Sequence, residues 1–355
     1  MHQRGAGRGG MTIDPGANGA AEPPSPPLGI VYASAAMEEV LRRVRAVAPT
    51  GLPVLITGET GTGKELIARA VHLLSGRARA LAAGEGGRFV AVDCAACADG
   101  LLEDRLFGHV RGAFTGADRD REGLFEYAHR GTLLLDEVGD MPVRMQAAPL
   151  RALETGEVVR VGSNAPRRVD VRVVSATSRD LRAMVEAGAF RRDLYYRLRG
   201  AEVRVPPLRD RREDVPRLVR YAITRYCAET GVEPPGVTPA AMLRLTVYHW
   251  PGNVRQLLAV VREMLARMAA SGAPRALDLT DLPEEISPLH GPDAPWSEAA
   301  PDGPGSLAGM TLAELERRAI RDTLRRTGGS RVRAAAMLGI GVTTLYRKLK
   351  AYGLT

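Results

Sequence analysis

The chain has 355 residues, of which 45% are apolar and 25% charged, with a formal net charge of +8; that length accommodates two or three domains and at least one sizeable core. No apolar run approaches the roughly 20 residues needed to cross a bilayer, and the start of the chain lacks the apolar stretch of a secretion signal, so membrane-embedded and secreted classes are set aside and a cytoplasmic protein is expected. Cys94, Cys97 and Cys227 form an odd, low set that argues against a disulfide framework; Cys94 and Cys97 have metal-ligand spacing without a second pair, so buried reduced thiols are expected.

Residues 1 to about 28 are rich in Gly, Pro and Ala and are expected to be disordered. From 29 to 205 short apolar segments alternate with helical patterns. "MEEVLRRVRAVA" and "GKELIARAVHLLS" read as helices, and "PVLITG", "RFVAVD", "GTLLLDEV" and "VDVRVVSAT" as strands. Such alternation predicts an α/β unit, a parallel sheet covered on both faces. From 206 to 270 the pattern turns helical ("EDVPRLVRYAITRYCAET", "TPAAMLRLTVY", "NVRQLLAVVREMLARMAA") and predicts a helical subdomain. Residues 271 to 308 have a linker's composition, although "LDLTDLPEEI" within them can pack locally.

Residues 309 to 355 are set apart by charge. From Ser306 onward ten Lys/Arg face three Asp/Glu, a net of +7, and the rest of the chain is nearly neutral. A concentrated basic domain is the footprint of a nucleic-acid binder. Leu312, Leu315, Ala319, Ile320 and Leu324 form a helical stripe, followed by a short helix, a turn at Leu338–Gly341 and a helix from about Val342. This is helix-turn-helix spacing. Leu345 and Leu349 would face the core, with Thr343, Thr344, Arg347 and Lys348 toward double-stranded DNA.

The chemistry lies in three places. "PVLITGETGTGKELIARA" is strand, glycine-rich turn and helix, and Gly58, Glu59, Thr60, Gly61, Thr62, Gly63 and Lys64 fit G-x-x-x-x-G-K. Backbone N–H groups of such a turn close around phosphates, and Lys64 would reach the β- and γ-phosphates. Glu65 stands where the general pattern has the hydroxyl that binds Mg²⁺. Asp136 and Glu137 end a buried strand; Asp136 would hold the Mg²⁺, and Glu137 would polarise the attacking water. Arg191 and Arg197, six apart, either flank a groove that takes a neighbouring subunit's phosphates or are two surface arginines, and spacing alone leaves both open. "GAFTGA" places Phe114 and Thr115 between Gly112, Ala113, Gly116 and Ala117 at a tightly turned tip, which stability alone does not explain.

Taken together, "GAFTGA", "GTGKE", "LDEVGDMP", "VPPLRDR" and "WPGNVRQL" resemble the NtrC-type sigma-54-dependent activators of bacterial transcription. The resemblance covers about 29 to 270 and 309 to 355 and is highly specific. It implies an AAA+ ATPase with a helical lid and a C-terminal all-α Fis-type helix-turn-helix domain. It also implies a ring that is usually hexameric and uses ATP and Mg²⁺ to remodel sigma-54 RNA polymerase from an upstream DNA site. Residues 112–117 would be the sigma-54 contact, Arg191 and Arg197 arginine fingers acting in trans, and Arg255 a sensor in the lid. Thr177 and Ser178 would be the first sensor, with Ser178 where the family usually has Asn. Glu65 is the family's own residue. Asp93 occupies the place of an Asn thought to hold the catalytic glutamate, and a carboxylate there would repel Glu137 unless protonated or bridged by a cation. Those two departures sustain an alternative: a DNA-binding regulator whose AAA+ scaffold senses nucleotide without productive turnover. The stretch before residue 29 is expected to be too short for the phosphorylation or ligand-binding domain that many relatives carry.

Overall fold

The computed structural model describes residues 27–78, 87–95, 99–270, 275–286, 312–327, 330–338 and 340–352. The chain divides between Gly291 and Pro292 into two compact units. Residues 1–26 of the expected disordered leader, Cys97, and residues 271–274 and 287–308 of the expected linker lie outside the described residues.

In the first unit the apolar runs become strands: β1 Val54–Thr57, β2 Phe89–Asp93, β3 Gly108–His109, β4 Arg121–Glu122, β5 Thr132–Asp136, β6 Glu157–Val159, β7 Pro166–Arg168, β8 Arg172–Thr177 and β9 Ala201–Arg204. Five form one parallel sheet in the order β2-β5-β8-β1-β9. Alternate side chains serve opposite cores. Leu133 and Leu135 pack with Phe107, Phe125 and Leu194 on one face, whereas Leu134 joins Met37, Leu41 and Ile67 on the other. A strand buried on both faces reads as a continuous apolar run, which is why "TLLL" stood out. The edge strand β9 went unforeseen in the sequence because only Val203 of its four residues is buried, among Ala201, Glu202 and Arg204. Helices Ala35–Val47 and Lys64–Leu73 cover one face, the first capped by the Ser34 hydroxyl accepting from Met37 N–H.

The helical subdomain is built from Val215–Thr230, Pro239–Val247 and Asn253–Ala270 around the fully buried Trp250. It does not stop at 270. Leu277, Leu282 and Ile286 are buried in the same core, Leu277 bridges to Val237, and Arg244 Nε donates to Ile286 O at 2.6 Å. Three apolar anchors spaced through an acidic stretch carry no helical or strand period, so the sequence indicates no more than local packing there.

The second unit contains helices Leu312–Arg326, Arg331–Met337 and Val342–Ala351. Ile320, Ala334, Ala335, Leu345 and Leu349 form its core, with Leu324 packed against it; of the expected stripe Ala319 is exposed instead, and the side chains of Leu312 and Leu315 lie outside the described residues.

Candidate functional site

The phosphate loop leaves β1 and turns into the Lys64 helix. Lys64 is 6% exposed. Its ammonium donates to Gly58 O at 3.0 Å, to Glu59 O at 3.4 Å and to Glu137 Oε1 at 3.0 Å. The Thr62 hydroxyl donates to Glu59 O at 2.8 Å, bracing the loop. Glu65 is paired instead with Arg69 at 2.8 Å. The strands that carry Thr57, Asp136 and Thr177 end together, so the crevice at their carboxyl ends collects the expected residues.

Burial pushes the Asp136 carboxyl above its ordinary pKa, and the Glu137 and Asp93 carboxylates add to this against the opposing Glu137 N–H and Lys64. Burial acts on Glu137 in the same sense, but the Ser178 N–H and the Lys64 ammonium outweigh it and hold that carboxyl below its usual range. Ser178 meets Glu137 Oε2 twice, from N–H at 2.9 Å and from the hydroxyl at 3.0 Å. Asp93 pairs in register with Asp136 across the strands, and its Oδ1 accepts from Ala95 N–H at 2.8 Å. The structure thus brings Asp93 beside Asp136, while the donors on Glu137 come from Ser178 and Lys64. Thr177 is fully buried and its carbonyl accepts from Gly58 N–H at 3.3 Å.

Arg191 and Arg197 are both exposed. Arg191 is not on the helix but caps it: the helix is Arg192–Leu198, and Arg191 has extended φ/ψ with its N–H on Gln146 Oε1 at 2.8 Å. Only Arg197 of the two therefore lies on the helix. The Arg191 guanidinium pairs with Asp193 at 2.7 Å, and that of Arg197 donates to Leu153 O at 2.6 Å.

The segment 110–120 joins β3 to β4 as a turn. Gly112 and Gly116 have φ of 82° and 97°, a region that disfavours side chains. Gly112 N–H donates to Ala117 O at 2.8 Å, which closes the tip. Phe114 is 46% exposed and rests edge-on against His109, with ring centroids 4.9 Å apart. His109 Nδ1 in turn meets Asp104, which also pairs with Arg121 at 2.9 Å. Thr115 is exposed.

In the second unit, Thr343 and Arg347 are exposed and Thr344 is half-buried. The Lys348 ammonium is held by Glu316 at 2.5 Å, and Tyr352 donates to the same carboxylate. Tyr346, which the sequence did not single out, is 49% exposed beneath the Arg331 guanidinium.

Residues 30–204 match the Sigma-54 interaction domain, 209–295 the AAA+ ATPase lid domain, and 311–352 the Fis family of bacterial regulatory proteins. The transcriptional regulatory protein ZraR of Klebsiella oxytoca is 45% identical over 328 residues, 92% of this chain and 70% of that protein. The chain belongs to the NtrC-type sigma-54-dependent activators. The DNA-binding transcriptional regulator NtrC of Klebsiella pneumoniae is 42% identical over 345 residues, 93% of this activator and 71% of its own length. The crystal structure of NtrX from Brucella abortus in complex with ATP superposes with a TM-score of 0.67 at 34% identity, covering 92% of this chain and 70% of that one. This activator is accordingly an AAA+ ATPase that binds nucleotide and carries a sigma-54 interaction domain and a DNA-binding module. Among the described residues, no helix is long and apolar enough to cross a membrane.

The activator's lid closes on the phosphate loop through residues whose individual roles the sequence did not announce, although they lie in the quoted "VPPLRDR" and "WPGNVRQL". Asn253, fully buried, accepts from Leu208 N–H at 2.8 Å and donates to Thr60 O at 3.0 Å and Glu59 Oε2 at 3.2 Å. Arg209 grips Glu59 at 2.6 and 2.8 Å, and these bonds with Asn253's take the Glu59 pKa to about 2 despite the opposing effect of burial. Arg211 donates to Thr62 O at 2.8 Å. Arg255 is exposed, and its N–H donates to Gly61 O at 3.2 Å.

Proposed function

We propose that this activator hydrolyses ATP at the boundaries of a ring, most simply a hexamer, and uses the cycle to move residues 112–117 against sigma-54 bound to RNA polymerase. One observation carries the reading: Lys64, Glu137 and Ser178 form a single bonded group at the mouth of the phosphate loop. A terminal phosphate arriving there competes with Glu137 for the Lys64 ammonium, so nucleotide binding and the freedom of the base are one event. Gly58, Glu59, Thr60, Gly61, Thr62 and Gly63 would enclose the phosphates. Glu137 would polarise water, Thr177 would register the terminal phosphate, and Arg255 would face the nucleotide from the lid.

The donor chemistry fits Mg²⁺, which is held by one or two carboxylates together with nucleotide phosphates. Asp136 is a half-buried carboxylate whose ionised form a cation would favour, and Asp93 stands beside it. The metal, when bound, would neutralise charge on the phosphate oxygens. Glu65 is committed to Arg69 and supplies no hydroxyl.

The guanidiniums of Arg191 and Arg197, exposed and paired with Asp193 and the Leu153 carbonyl, would exchange those contacts for a neighbour's nucleotide. Phe114 would supply the apolar contact with sigma-54 and Thr115 the polar one. Thr343, Thr344, Arg347 and Lys348 would meet an upstream duplex in the cytoplasm, where the polymerase works. The test is ATP turnover per protomer across the assembly range, paired with transcription from a sigma-54 promoter. Turnover should rise with protein concentration. Concentration-independent turnover would remove the arginines from the reaction, and an inactive promoter would remove sigma-54 as the target.

A further inference from the structure

The position that resembles the family's glutamate-holding residue is Asp93, yet Asp93 is not what holds Glu137 here. Asp93 Oδ1 accepts from Ala95 N–H at 2.8 Å. Both donors on Glu137 Oε2 belong to one residue, Ser178, at 2.9 Å from N–H and 3.0 Å from the hydroxyl. The other oxygen, Oε1, points to Lys64 on the phosphate loop. We propose that Ser178 is the positioning residue of the ATPase base, clamping Oε2 with two donors and leaving Oε1 free to act once nucleotide draws Lys64 away.

The frame around Ser178 is stiff enough for the task. Glu137 sits at φ 47°, ψ 48°, opening the turn Val138–Asp140. That turn lies directly on the end of β8: a Cβ on Gly139 would stand 2.8 Å from Thr177 Oγ1 and 3.1 Å from Arg179 Cβ. Arg179 binds the turn back, through Gly139 O at 3.2 Å and Asp140 at 3.2 Å, and Thr177 Oγ1 accepts from Arg179 N–H at 3.1 Å. Thr177 and Arg179, the two neighbours of Ser178, thus both meet the turn that follows Glu137. Two donors from one anchored residue also fix which carboxylate oxygen they occupy, which a single donor would leave to rotation about χ3.

This role rests on Glu137 being the base, and the experiment separates the two. Full-length protein carrying Ser178→Ala, Ser178→Thr or Glu137→Gln is assayed for ATP turnover at saturating and limiting ATP. Ser178→Ala keeps the N–H but loses the hydroxyl; kcat should fall on the order of tenfold with KM for ATP held within about twofold, because a charge-assisted hydrogen bond is lost from the base alone. Ser178→Thr restores a hydroxyl and should recover most of kcat. The proposal is overturned if Ser178→Ala turns over like the parent, if its loss appears in KM instead of kcat, or if threonine fails to rescue. Retained turnover in Glu137→Gln would instead overturn the assignment of Glu137, whatever Ser178 does.

Discussion

Asn253→Gly isolates what holds the lid to the phosphate loop. Asn253 lies at φ 52°, a left-handed region that glycine adopts without strain, so this substitution removes the side chain's bonds without a backbone penalty. Three bonds go: Leu208 N–H to Oδ1, and Nδ2 to Thr60 O and Glu59 Oε2. The Leu208 N–H is buried and left without its acceptor, which costs about 1–3 kcal/mol. The Thr60 bond adds about 1 kcal/mol, and the Glu59 bond less than a buried charge-assisted one because that carboxylate is 43% exposed. A loss of about 3 kcal/mol follows, which lowers Tm by roughly 6–12 °C for a unit of this size. The assay is thermal unfolding together with hydrogen exchange at residues 58–62 and the KM for ATP. Faster exchange in the loop and a raised KM should accompany the lower Tm. A Tm within about 1 °C of the parent, with loop protection intact, would refute the claim that Asn253 couples lid to loop.

Three further outcomes follow from the same contacts. Thr115→Ala should hydrolyse ATP at the parental rate and fail to drive open-complex formation, because Thr115 is exposed and distant in bonding from the Lys64 group; transcription assays alongside phosphate release decide this. Glu59 titrates at about 2 in the fold against an ordinary 4.5, so its contribution through Arg209 is fully present above the ordinary value and is lost as pH falls from there toward 2; Arg209→Ala should flatten that limb of the acid-unfolding curve. In the second unit, Arg347→Ala should weaken DNA binding and reduce the salt slope by about one, whereas Lys348→Ala should change the slope less, because Lys348 already neutralises Glu316; equal slopes for the two variants in titrations at several salt concentrations would count against this difference.

The sequence by itself carried whatever chemistry is local. The phosphate loop, the Asp136-Glu137 pair and the 112–117 tip are each a few consecutive residues whose types already state the backbone and the functional groups they need. The sheet was legible because strands buried on both faces read as continuous apolar runs, and the helix-turn-helix because burial imposes a period of 3.6 on neighbouring positions. Contacts between distant segments were not legible. Asn253 reaches Thr60 across 193 positions and Ser178 reaches Glu137 across 41, and no local pattern specifies a partner so far along the chain. The capping position of Arg191, the edge strand β9 and the reach of the lid to Ile286 likewise depended on packing against elements elsewhere. Which residue holds Glu137 is decided by the close approach of the turn after β5 to the end of β8. Local sequence names the groups that can react; their mutual orientation exists only once the strands have been laid side by side.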